Sequence, residues 1–124
     1  LASLMVRITD SEEIHNPNTV KVVTDTNGRA IYFSRHPIPF SREKTPSVQF
    51  FKHKGVYAFR KKALLDFQKL SPKSLELAEK IECLRFLEYG KNIQMVETDV
   101  LGVEIDTPED LVTAQNLWPN KRSN

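Results

Sequence analysis

Cysteine occurs once in the 124 residues, as Cys83, so no internal disulfide can form and a secreted, disulfide-stapled class is excluded. With no run of about 18 apolar residues and no charged-then-apolar leader in these residues, neither a membrane-spanning helix nor a signal peptide is expected. A reducing cytoplasm is therefore the expected compartment. Charge of one sign is not in excess: 18 Lys+Arg against 16 Asp+Glu leave +2, which gives no electrostatic case for nucleic acid. With only four glycines there is no Gly-rich phosphate loop, and paired-Cys zinc spacing and a Ser nucleophile elbow are also absent. What is present, 40% hydrophobic and 27% charged residues, is enough for one domain with a workable core. The chain opens on Leu1 and passes directly into the strand-like Leu4-Met5-Val6-Arg7-Ile8, so it reads as the second half of something longer.

The β-branched run Val20-Lys21-Val22-Val23-Thr24, then Asp25-Thr26-Asn27-Gly28, then Ala30-Ile31-Tyr32-Phe33 predicts a hairpin whose Asn-Gly step supplies positive φ angles. Pro37 and Pro39 stop the second strand and open a polar, mobile loop to Ser47. Residues 49–60 alternate, and predict a long strand buried on the side of Phe51, His53, Tyr57 and Phe59. A short helix is expected over residues 61–69. A longer one, capped by Ser74, carries Leu77, Ala78, Ile81, Leu84 and Leu87 to a stop at Tyr89-Gly90. Residues 93–100 form a strand candidate. Asp106-Thr107-Pro108-Glu109 reads as a capping box that starts a last helix ending near Trp118. Strands and helices mix without strict alternation, and no repeat is evident.

Candidate site residues are polar groups at positions where burial is expected. His53 and Tyr57 share a strand face about 13 Å apart, a spacing that can bracket an extended polar ligand but not grip one atom; plain packing explains them equally well. Arg35 ends the hairpin just before a loop that carries Arg42 and Lys44. A guanidinium matches carboxylate or phosphate through two parallel hydrogen bonds, although a solvated surface Arg is the commoner case. Glu82 falls at the edge of the long helix's apolar stripe, where it could accept ligand hydroxyls or serve as an ordinary salt-bridged Glu. Asp106 is explained fully by capping, yet an Asp between strand and helix also suits Mg²⁺, whose hard oxygen preference a carboxylate satisfies.

Five segments, in order and at compatible spacing, resemble the C-terminal half of the CMP-KDO synthetase (3-deoxy-manno-octulosonate cytidylyltransferase) family. They are Asn16-Pro17-Asn18-Thr19-Val20-Lys21-Val22-Val23, Ile31-Tyr32-Phe33-Ser34-Arg35, His53-Lys54-Gly55-Val56-Tyr57-Ala58, Glu82-Cys83-Leu84-Arg85 and Ile105-Asp106-Thr107-Pro108-Glu109-Asp110-Leu111. The resemblance implies transfer of CMP from CTP to the anomeric hydroxyl of an eight-carbon sugar acid, KDO, with release of pyrophosphate and with Mg²⁺ as cofactor. It implies a cytoplasmic homodimer serving lipopolysaccharide synthesis. By the same resemblance Arg35 and Arg42 bind the sugar acid, His53 and Tyr57 line its pocket, Glu82 accepts its hydroxyls, and Asp106 is the catalytic metal ligand. The implied fold is α/β: the C-terminal part of an α/β/α nucleotidyltransferase sandwich with a projecting hairpin that forms a two-fold contact.

This chain departs from the family in carrying Cys83 where a Gln commonly follows the Glu. The resemblance also puts the nucleotide-binding half upstream of residue 1, so residues 1–124 are expected to form a single sugar-acid-binding and dimerising domain, inactive alone. Other readings stay open at this point: a CMP-sialic acid synthetase, a non-catalytic dimerising module, and a nucleic-acid module built on Arg60-Lys61-Lys62, which is short for that purpose.

Overall fold

A computed structural model describes residues 1–43, 48–100, 102, 105 and 107–117. Five strands form one mixed sheet in the order β3-β2-β4-β1-β5, with β1 Ala2–Arg7, β2 Lys21–Thr24, β3 Ala30–Ser34, β4 Phe51–Ala58 and β5 Gln94–Glu97. β1 runs antiparallel to β4 and parallel to β5, and β2 is antiparallel to both its neighbours. Helices α1 Ser11–His15, α2 Lys61–Phe67, α3 Ser74–Glu79, α4 Leu84–Glu88 and α5 Pro108–Leu117 complete the α/β fold expected from the sequence. Met5, Val22, Phe33, Leu84, Phe86, Ile93 and Met95 make the core between sheet and α4. Among the described residues no helix is long and apolar enough to cross a membrane.

The hairpin forms where the β-branched run predicts it, but its turn differs. Only Gly28 has positive φ, at +76°, while Asn27 stays in the ordinary region. The Asp25 carboxylate accepts the amides of Asn27 (2.8 Å) and Arg29 (2.9 Å), so an Asx turn sets the corner and one glycine suffices. The turn does not stand free of the sheet. Gly28 O accepts the Met95 amide at 2.8 Å, and the Ala30 amide donates to Ile93 O at 2.9 Å, so the outer edges β3 and β5 meet and the sheet curls toward closure. Of the three apolar residues expected to need cover, Phe33 is fully buried and Tyr32 half-buried, and Ile31 alone is well exposed, at 60%.

The long helix expected over residues 74–89 is two helices. Lys80 closes α3 at φ 55°, the left-handed conformation, and the chain turns through residues 81–83 before α4. Nor does Ser74 cap it: the Glu88 carboxylate of α4 reaches back to the amides of Leu75 (2.9 Å) and Glu76 (3.2 Å) and to the Ser74 hydroxyl. Buried Glu76 takes Arg85 Nε and Nη2, both at 2.6 Å, and this fork ties the two helices face to face. Strand β4 is shorter than expected and only half-buried at its start, Phe51 to Lys54, being exposed from Gly55 to Ala58, so the aromatic face is not the buried one expected. At the last helix the reciprocal cap is Thr107 with Asp110, one residue on from the expected pair: the Thr107 amide donates to Asp110 Oδ2 at 2.9 Å and Thr107 Oγ1 accepts the Asp110 amide at 3.2 Å. Asp106, Lys44 and Trp118 lie outside the described residues. α1, capped by the Asp10 carboxylate, had no counterpart in the sequence reading.

Candidate functional site

The site is assembled by a kink in β4. Between Ser3 and Leu4 of β1 the pairing on β4 jumps from Tyr57 to Lys54, so Gly55 and Val56 bulge out of the ladder. An even strand would hold His53 and Tyr57 about 13 Å apart; the bulge instead draws their rings to 5.4 Å. The pair can thus act on one part of a ligand, a correction to the bracketing expected from spacing.

His53 packs edge-on against Phe33 at 5.0 Å, and burial pulls its pKa down to about 4, so it is neutral at physiological pH. Its Nε2 lies 2.8 Å from Ser3 Oγ. The one Ser3 hydroxyl proton is claimed by the carbonyls of Lys54 (3.1 Å) and Val56 (2.9 Å), which the bulge turns inward. The arrangement that satisfies all of them has Nε2–H donating to Ser3 and leaves Nδ1 as an acceptor.

Arg35 is engaged more heavily than a free fork. Its Nε donates to Glu79 O (2.7 Å), Nη1 to Pro17 O (2.9 Å) and Nη2 to Lys80 O (3.3 Å), leaving two of five N–H donors for a ligand. Glu79 accepts the Arg35 amide at 2.9 Å and the Ser34 hydroxyl at 2.6 Å. Burial opposes the Glu79 charge, but these bonds and the nearby Arg35 outweigh it and hold the carboxyl below its usual range.

Arg35, His53, Tyr57 and Glu82 line one cavity of about 290 Å³. They come from the end of β3, from β4 and from the α3–α4 turn, and the fold brings these four together while leaving Arg42 outside. Glu82 reaches the cavity from that turn rather than from a helix; its side chain is 71% exposed and 3.7 Å from Arg85. The walls also carry Lys52, Lys54, Lys80 and Glu13, which the sequence reading missed. Four cations face two carboxylates there, and Lys52 is paired with Glu13, so the cavity suits an anionic, hydroxyl-rich ligand. Strict alternation along β4 assigns Lys52 and Lys54 to the face opposite His53, so no periodic signal could have flagged them.

Arg42 is exposed and does not line the cavity. Cys83 is buried, and its thiol, pushed up to about 11 by burial, contacts the Tyr57 hydroxyl and offers no reactive thiolate. Among the described residues no cluster of three His, Cys, Asp or Glu could hold a metal ion.

A family described as Cytidylyltransferase matches residues 1–93. The chain is 56% identical over 117 residues to the 3-deoxy-manno-octulosonate cytidylyltransferase of Christiangramia forsetii, covering 94% of this chain and 47% of that protein. It is 59% identical over 117 residues to the protein of the same name from Flavobacterium johnsoniae, covering 94% of this chain and 48% of the relative. A solved CMP:2-keto-3-deoxy-manno-octonic acid synthetase complexed with CTP is 37% identical and superposes with a TM-score of 0.82 over 94% of this chain and 49% of that one. The resemblance drawn from the five motifs is borne out, and the chain spans about half the length of the curated relatives it matches.

Proposed function

The chain belongs to the cytidylyltransferase family, and from that premise we propose that it is the sugar-acid-binding half of an enzyme that transfers CMP from CTP to KDO, releasing pyrophosphate. The observation that carries this reading is the meeting of Arg35, His53, Tyr57 and Glu82 in one cavity with an excess of positive charge. A sugar acid needs a cationic site for its carboxylate and several acceptors or donors for its hydroxyls. The remaining Arg35 donors and Lys52 take the carboxylate, and Arg42, which does not line the cavity, is left out of it. His53 Nδ1, the Tyr57 hydroxyl and the Glu82 carboxylate take hydroxyls.

These contacts hold the sugar acid with its anomeric oxygen presented to the α-phosphorus of CTP. The bond to that oxygen forms as the bond to pyrophosphate breaks. Little of the work is covalent, and positioning together with charge stabilisation carries it. CTP is bound by a nucleotide half beyond these residues. Asp106 would hold Mg²⁺ together with a carboxylate from that half, in keeping with the few protein ligands Mg²⁺ takes at nucleotide sites. When bound, Mg²⁺ offsets charge on the triphosphate. The enzyme is a cytoplasmic homodimer supplying lipopolysaccharide synthesis, with the exposed Ile31 of the edge strand β3 at the two-fold contact.

Pyrophosphate release by the full-length protein, given CTP, Mg²⁺ and KDO, tests the reading. Release with KDO and little with N-acetylneuraminic acid is expected. No release with KDO, or faster release with the sialic acid, refutes it.

A further inference from the structure

Lys21 is fully buried, and among the described residues its ammonium forms no ion pair: the nearby Glu79 carboxylate is bound by the Arg35 amide and the Ser34 hydroxyl instead. A charged amine in the interior is costly unless every donor is satisfied. Here all three are: Nζ donates to the carbonyls of Asn16 (2.9 Å), Thr19 (2.5 Å) and Arg35 (2.5 Å). A methionine or leucine would fill the volume without that cost, so the charge needs a reason beyond packing.

The three carbonyls belong to two chain segments that border the cavity. The turn at residues 16–19 contributes Asn18 and Thr19 to its wall, and Arg35 is itself a lining residue. From the point where Lys21 fixes its main chain, Arg35 sends its guanidinium back to Pro17 in the same turn and across to Glu79 and Lys80, next to Glu82. In the ladder, Lys21 sits opposite Lys52, the neighbour of His53. The buried nitrogen thus joins the turn to the hairpin end, and the Arg35 side chain carries the link on to the end of α3.

We propose that Lys21 is a positioning residue of the sugar-acid pocket, its ammonium drawing the carbonyls of Asn16, Thr19 and Arg35 to one point and so setting the rim that the Arg35 guanidinium spans. The inference rests on the reading that this cavity takes the sugar acid. It assigns Lys21 no contact with substrate. Its consequence is selective: loosening the rim should spoil sugar-acid binding and leave nucleotide binding, which lies beyond these residues, nearly untouched.

The test is steady-state kinetics on the full-length protein bearing Lys21→Met, which keeps the side-chain volume and removes the three donors. KM for KDO should rise at least tenfold with KM for CTP within twofold of wild type, rates being normalised to folded protein. A residue that only supports folding would lower the yield of active enzyme and leave both KM values alone, and that result overturns the proposal. If Lys21→Met does not fold, ¹⁵N spectra of the lysine ammonium groups in the wild type decide. One slowly exchanging ammonium signal should move on addition of KDO and not of CTP, and a signal indifferent to KDO overturns the proposal. Wild-type enzyme that fails to use KDO at all would overturn the reading of the cavity as well, whereas normal KDO turnover with unchanged KM values in Lys21→Met strikes Lys21 alone.

Discussion

Acidification should destabilise the fold well before its carboxylates titrate, because of His53. In the unfolded chain this imidazole takes up a proton near its ordinary value of about 6.5. In the folded chain, burial against Phe33 and beside Tyr57 delays protonation to about 4. Between those values the unfolded state binds more protons, so stability is fully present above about pH 6.5 and is lost as pH falls toward 4. At about 1.4 kcal/mol per pH unit the loss is about 1.4 kcal/mol at pH 5.5 and, as the folded state begins to protonate, about 3 kcal/mol by pH 4. Urea unfolding of the full-length protein at pH 7.5, 5.5 and 4.5 measures this, with His53→Phe as the control. Phe keeps the ring contacts, and Ser3 still has the Lys54 and Val56 carbonyls to donate to, so the variant should lose about 1 kcal/mol at pH 7.5. Its stability should then change far less than the wild type's down to pH 5. Equal slopes for the two proteins, or a His53 ring titrating near 6.5 by NMR, would refute the reasoning.

Three further outcomes are expected. Gly28→Ala forces a side chain into positive φ, with the new Cβ 2.8 Å from Gln94 Nε2, and should cost about 1–2 kcal/mol in urea unfolding, since the Gln94 amide can shift but the backbone cannot. Asp106→Asn should leave stability within about 1 kcal/mol, yet cut CMP transfer at least about a hundredfold, with partial rescue at high Mg²⁺; loss of stability with activity intact would mean Asp106 is structural. Sedimentation of the full-length protein should give a dimer that Ile31→Lys weakens, and a monomer at high micromolar concentration excludes the two-fold contact.

The parts of the fold legible in the sequence were those with short-range signals: the β-branched hairpin, the short helix α2, and a helix beginning at Pro108, though the hairpin corner and the α5 cap are made by other residues than expected. The break between α3 and α4 was not legible, because Leu77, Ala78, Ile81, Leu84 and Leu87 keep helical spacing across it and no Gly or Pro marks it. Lys80 adopts the left-handed conformation without being Gly or Asn, compensated by long-range bonds such as the Glu76–Arg85 fork that local pattern cannot reveal. The same holds for the site. The family resemblance implied a sugar-acid pocket and its residues, but the closeness of His53 and Tyr57 depends on a bulge that Gly55 only hints at. The commitment of Arg35 to Pro17, Glu79 and Lys80, and the burial of Lys21, are tertiary facts with no periodic trace.

Glu82 offers the most direct measurement of the claim that this cavity binds the sugar acid. Its side chain is exposed, and its one ion pair among the described residues, with Arg85 at 3.7 Å, is long and redundant with the Glu76 fork, so Glu82→Gln should change stability by less than about 0.5 kcal/mol. As an ordinary surface carboxylate it could be neutralised without consequence; as an acceptor of sugar hydroxyls it could not. In the full-length enzyme, KM for KDO should rise about tenfold or more while KM for CTP stays within twofold. Unchanged KM for KDO, or equal increases for both substrates, would contradict the assignment of the cavity.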